Sequence, residues 1–184
     1  MDRLIELYER FAGCKPEECS LLPLSGSARK YYRMSSRGET VIGVIGTNPK
    51  ENRAFLTIAG SFCRHGLHSP EVYAVSDDGM RYLQEDLGDG QLFELLKPSI
   101  ASGEYGEKEM GWLKKVMEIL PSVQFEVADG LDWNICFPDK AFNGRMVDFD
   151  LNYFKYDFLK FTGLEFDEIR LQDDFDRLRE DSLE

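Results

Sequence analysis

Residues 69–90 read SPEVYAVSDDGMRYLQEDLGDG, and the pattern of this stretch decides the fold. Two β-prone runs, 71–75 and 80–83, flank Asp77-Asp78-Gly79. An Asp-Gly pair between such runs predicts a hairpin, because the tight turn needs a residue that accepts positive φ. After Leu83 the alternation stops: Gln84-Glu85-Asp86-Leu87-Gly88 is polar, and Gly88 and Gly90 follow closely. This predicts a chain leaving the sheet and crossing a hinge between two lobes.

Upstream, Leu4, Leu7, Tyr8 and Phe11 recur at helical spacing over 2–12, with Gly13 as the stop. Three runs at 20–24, 29–34 and 39–45 predict an antiparallel meander, joined by Ser25-Gly26-Ser27 and by Ser35-Ser36-Arg37-Gly38. With the hairpin they give five antiparallel strands. Asn48-Pro49-Lys50-Glu51 then opens a helix: Asn48 as N-cap, Pro49 in the first position and Glu51 reaching back as a capping carboxylate. Phe55, Ala59, Phe62 and Cys63 fall on one face, and Gly66 ends it.

Downstream the period becomes helical. Asp89 is expected to cap a short helix over 91–96 that Lys97-Pro98 terminates, and 107–120 carries a stripe of Met110, Leu113, Met117 and Leu120. The aromatic segment 125–138 is read as irregular. A helix over 148–161 places Leu151, Phe154, Phe158 and Phe161 inward, with Gly163 as stop. The tail 165–184 has nine acidic and three basic residues, yet Ile169, Leu171, Phe175 and Leu178 predict a final solvated helix. The fold class is therefore α+β, a sheet-bearing first part followed by helices.

Gly66-Leu67, Pro70-Glu71-Val72 and Glu85-Asp86-Leu87-Gly88-Asp89-Gly90, in this order, resemble the aminoglycoside phosphotransferase and choline kinase group of small-molecule kinases. The nearest likeness is to bacterial anomeric sugar kinases acting on N-acetylmuramate and N-acetylglucosamine. The resemblance implies a protein-kinase-like fold: an ATP-covering small lobe over 1–87, a hinge at 88–90, and part of a helical large lobe over 91–184. It implies ATP with Mg²⁺ as cofactors and a sugar or amino-alcohol acceptor. Adenine would lie against Gln84, Glu85, Asp86 and Leu87. The phosphates would lie at Ser25, Gly26, Ser27, Ala28, Arg29 and Arg33, where small residues let backbone N–H groups approach and arginine supplies charge.

Two departures accompany the likeness. Kinases carry a lysine in the third strand that pairs with a glutamate of the following helix. The run Val41-Ile42-Gly43-Val44-Ile45-Gly46 has no lysine, so that pair is absent or rebuilt with Arg29, Arg33 or Lys50, and Glu51 is read as a cap. Nor does the sequence contain a His-x-Asp-x-x-x-x-Asn loop or a following metal-binding Asp; Asp148-Phe149-Asp150 lacks the required glycine and lies in a helical pattern. The expectation is an N-terminal part of a phosphotransferase whose catalytic loop lies beyond Glu184, inactive by itself, the parent chain continuing past its C-terminal end. The alternative is a non-catalytic kinase-like binding or adaptor module; an unrelated acidic interaction domain is a third reading.

Composition bounds the partners. The 184 residues carry 34 acidic against 22 basic side chains, a net charge of −12, which opposes binding to nucleic acid or to an anionic membrane surface. Cys14, Cys19, Cys63 and Cys136 form no Cys-x-x-Cys pair, and the N-terminus has no secretory pattern, so reduced thiols in cytoplasm are expected. His65 and His68 are assigned to the surface rather than to a metal.

Overall fold

The structure, a computed structural model, describes residues 1–23 and 28–183. Among these, the chain runs α1 (Asp2–Ala12), β1 (Glu18–Leu21), β2 (Lys30–Ser36), β3 (Glu39–Ile45), α2 (Pro49–Arg64), β4 (Val72–Val75), β5 (Arg81–Glu85), α3 (Leu92–Ser102), α4 (Glu107–Pro121), α5 (Gly144–Tyr153) and α6 (Glu168–Asp181). The fold class is α+β, with one five-stranded antiparallel sheet and six α-helices among the described residues. The chain divides into two compact units, Met1–Phe137 and Pro138–Glu184. No helix among the described residues is long and apolar enough to cross a membrane.

In the first unit the strand order is β1-β2-β3-β5-β4, every neighbouring pair antiparallel. Alternation gives the sheet two apolar faces. Met34, Val41 and Leu83 pack with Leu4, Leu7 and Tyr8 of α1 on one face. Ile42, Val44 and Tyr82 form the other with Phe55 and Leu56 of α2. Each fully buried leucine or methionine contributes about 1.5–3 kcal/mol, so these two layers hold the unit together. Helix α1 ends as its sequence dictates: Gly13 takes the left-handed conformation (φ +70°) and donates its N–H to Glu9 O.

The β4–β5 hairpin closes on its own side chains. Gly79 (φ +66°) donates to Ser76 O, Met80 N–H to Asp78 Oδ1 at 3.0 Å, and Ser76 Oγ to the same carboxylate oxygen at 2.7 Å. Ser76, then Met80 and Arg81, hold the Asp78 carboxyl down at about 2. A depressed acid stabilises the fold above its ordinary value, 3.8, and loses that contribution as pH falls through about 2. Asp78 should accordingly titrate near 2 by carboxyl NMR. A midpoint near 4, the ordinary aspartate value, would show that these bonds are not made in solution.

Helix α2 keeps its expected start, since Asn48 Oδ1 accepts the Lys50 N–H at 2.9 Å. Its buried face differs from the one predicted. Asn52, Ala54, Ala59 and Ser61 are buried, while Cys63 is exposed. Small residues let the helix lie close to the sheet, a packing mode that large-residue periodicity does not reveal. Asn52 has no exposed surface and donates Nδ2 to Gly79 O at 2.9 Å, tying α2 to the hairpin turn. Gly46 makes room for it: a Cβ there would sit 2.3 Å from the Asn52 carboxamide.

The later helices correct several expectations. Helix α3 runs through Pro98 to Ser102 and stops at left-handed Gly103, because a proline on an exposed turn removes only one backbone bond. Its N-cap is Gln91 without a side-chain bond. The expected capping residue, Asp89, is held by Arg33 instead. Met110 and Met117 of α4 are exposed. A π-helical turn at Ser122–Glu126 extends α4 into the segment read as irregular and buries Val127 behind it.

In the second unit, helix begins at Gly144 under an Asn143 cap rather than at 148. It continues as a π-helical turn over Phe154–Phe158 and a 3-10 turn over Leu159–Thr162, then stops at left-handed Gly163. The wider turn breaks the 3.6-residue period, so Lys155 takes the buried place predicted for aromatics and pairs with Glu168. Phe154, Phe158 and Phe161 are exposed, Phe161 at 82%, and only Phe175 of α6, edge-on to Phe154, is deeply buried among the expected aromatics.

Candidate functional site

Arg33 on β2, Ile42 on β3, Gln84 on β5 and Val72 on β4 stand directly opposite one another across four strands. Beside this row opens a cleft of about 670 Å³. Leu22, Tyr31 and Ile42 form its apolar wall, Gln84, Glu85, Asp86 and Leu87 its hinge side, and Gln91 and Glu94 its far rim. All four hinge residues singled out in the sequence thus line one cleft. The wall residues Tyr31 and Ile42 were not singled out; they share parity with Arg33 and Gln84 on their strands, and that was the available signal.

Arg33 closes one end of the cleft. Its Nε and Nη2 donate to Asp86 at 2.7 and 3.0 Å, a two-pronged bond, and Nη2 and Nη1 donate to Asp89 at 2.9 and 3.3 Å. The arginine, expected at the phosphates, is thereby engaged by two acidic side chains. These bonds hold the Asp86 carboxyl below its ordinary value, with Gly88 N–H also donating to it, and raise the arginine further. Among the hinge amides, Glu85 N–H is taken by Glu71 O at 2.8 Å. The Leu87 N–H has no hydrogen-bond partner among the described residues. The Asp86 N–H is likewise without a partner among the described residues, so two of the three amides over 85–87 are open donors.

At the other end of β2, Arg29 meets α2. Its Nη2 lies 3.1 Å from Glu51 Oε1 and donates to Glu51 O at 3.2 Å. The guanidinium stands 5.4 Å over the Phe55 ring, which stacks on Tyr82 at 5.3 Å. An arginine ahead of β2 thus makes an ion pair with the first turn of α2, while β3 carries no lysine. Glu51 serves this pair, not the helix cap it was expected to make. Tyr82 is fully buried beneath the column, and desolvation raises its hydroxyl pKa.

The chain matches no family model, and no curated protein matches its sequence. Of the residues expected at the phosphates, Ser25, Gly26 and Ser27 lie outside the described residues; Ala28 adjoins Arg29. No group of three or more His, Cys, Asp or Glu side chains among the described residues is placed to hold a metal ion.

Proposed function

We propose that the first unit is the nucleotide-holding part of an ATP-dependent small-molecule phosphotransferase with a protein-kinase-like fold. The observation that carries this reading is the unpartnered Leu87 N–H beside the apolar wall of Leu22, Tyr31 and Ile42, an apolar surface with a donor at its edge. A heteroaromatic base satisfies both demands at once. Charge then orients the rest of the ligand. The hinge end carries Glu85, Asp86, Asp89 and Glu94 against Arg33 alone, so it repels a polyphosphate. Arg29, just before β2 and held by Glu51, would have to share its guanidinium with the phosphates at the opposite end.

The acceptor in this reading is a sugar or amino-sugar hydroxyl, and the site of action is the cytoplasm. The group that takes the acceptor's proton has no counterpart in this sequence, which lacks the His-x-Asp-x-x-x-x-Asn pattern. The described residues therefore supply binding, not the stabilisation of transition-state charge that turnover needs. A non-catalytic nucleotide-binding module is the second reading, favoured by the lysine-free β3. Calorimetry with ATP tests what the two share, and phosphate transfer to amino sugars separates them. Leu87→Pro, which removes the open N–H, should weaken ATP binding about tenfold. Equal binding by wild type and variant would remove the hinge from the site.

A further inference from the structure

Gln84 ends the row that lines the cleft, between Ile42 on β3 and Val72 on β4. Both flanking residues are apolar. Its Oε1 is shut away from solvent and has no hydrogen-bond partner among the described residues. The sheet itself has no use for a carboxamide there, and a leucine would pack against the same neighbours without leaving a polar atom unsatisfied. The oxygen and nitrogen ends of the group exchange by a half turn of the last torsion, but either arrangement leaves one end unserved.

A ligand edge that places a donor beside an acceptor satisfies both ends together. Adenine offers this pair in its N6–H and N7, whereas guanine offers two acceptors, O6 and N7. Building on the nucleotide reading above, we infer that Gln84 turns its carboxamide onto the N6/N7 edge of adenine and selects adenine over guanine. Oε1 accepts from N6–H, and Nε2 donates to N7. Leu87 N–H, three residues further along the chain, meets a different edge of the same base. Arg33 is committed to Asp86 and Asp89 and does not compete for the carboxamide.

Calorimetry of the full chain with ATP, GTP and purine riboside triphosphate, which lacks the 6-amino group, tests this. Wild type should bind ATP about tenfold more tightly than the other two, the loss expected for one hydrogen bond left unmade. Gln84→Leu and Gln84→Met should bind ATP and purine riboside triphosphate alike. Melted without ligand, both variants should unfold at or above the wild-type temperature, because an unsatisfied buried atom has been removed. A preference for ATP over purine riboside triphosphate that persists in the variants, or a wild type that binds these two equally, overturns the role of Gln84 and leaves the nucleotide reading standing. A wild type that binds none of the three overturns both.

Discussion

Arg33→Leu should destabilise the first unit by about 3 kcal/mol in chemical denaturation at neutral pH, because it strands a buried charge. The Asp86 side chain is 7% exposed and takes two bonds from this arginine; without it, the Gly88 N–H and the Thr40 hydroxyl remain as its donors. Asp89 is 84% exposed, so its bond to the same guanidinium is screened and contributes below about 1 kcal/mol. The expected order is therefore a large loss for Arg33→Leu and a small one for Asp89→Ala. The double variant Arg33→Leu/Asp86→Leu should recover part of the loss, since it removes both charges together. Acid should have the same effect in wild type: the Asp86 carboxyl is depressed, so its contribution is present above its ordinary value and disappears as pH falls below it. Equal losses for Arg33→Leu and Asp89→Ala would sink the idea that the clamp fixes the hinge.

Gly46→Ala should cost about 1–3 kcal/mol, the usual penalty for overfilling a packed site. The added methyl would fall 2.3 Å from both carboxamide ends of Asn52, and Asn52 has nowhere to retreat, being fully buried and bonded to Gly79 O. Asn52→Ala alone should also destabilise, by about 1–3 kcal/mol, because it leaves that carbonyl without its donor. Together the two changes should cost clearly less than their sum, as the alanine at 46 fills space the asparagine vacates. Strict additivity would mean that the two residues do not share a site.

The sheet was legible because alternation, turn chemistry and caps agree. The limits of α1 and β3 follow from the sequence, and Asp78-Gly79 closes the hairpin as read. The hinge side of the cleft was legible too, since Gln84 to Gly88 is where the alternation fails. What stayed hidden depends on partners far along the chain. Arg33 meets Asp86 and Asp89 at separations of 53 and 56 residues, and no local pattern marks such a pairing. Asp89 has the composition of a cap and Glu51 the spacing of one, yet an arginine outcompetes a backbone amide for each. The aromatics of 154–161 recur at helical spacing, but periodicity names a face without saying what covers it, and a π-helical turn then rotates that face.

Both borders of the sheet are four-residue strands, β1 and β4, and β4 is interrupted by a register shift between Val72 and Ala74. A second copy adding itself to either border finds a short, irregular row of unpaired groups, too little to offset the entropy of docking. The long strands β2, β3 and β5, whose β-branched and aromatic residues would template fibrils if bared, are all interior. Resistance to edge-on aggregation is thus built into the strand order.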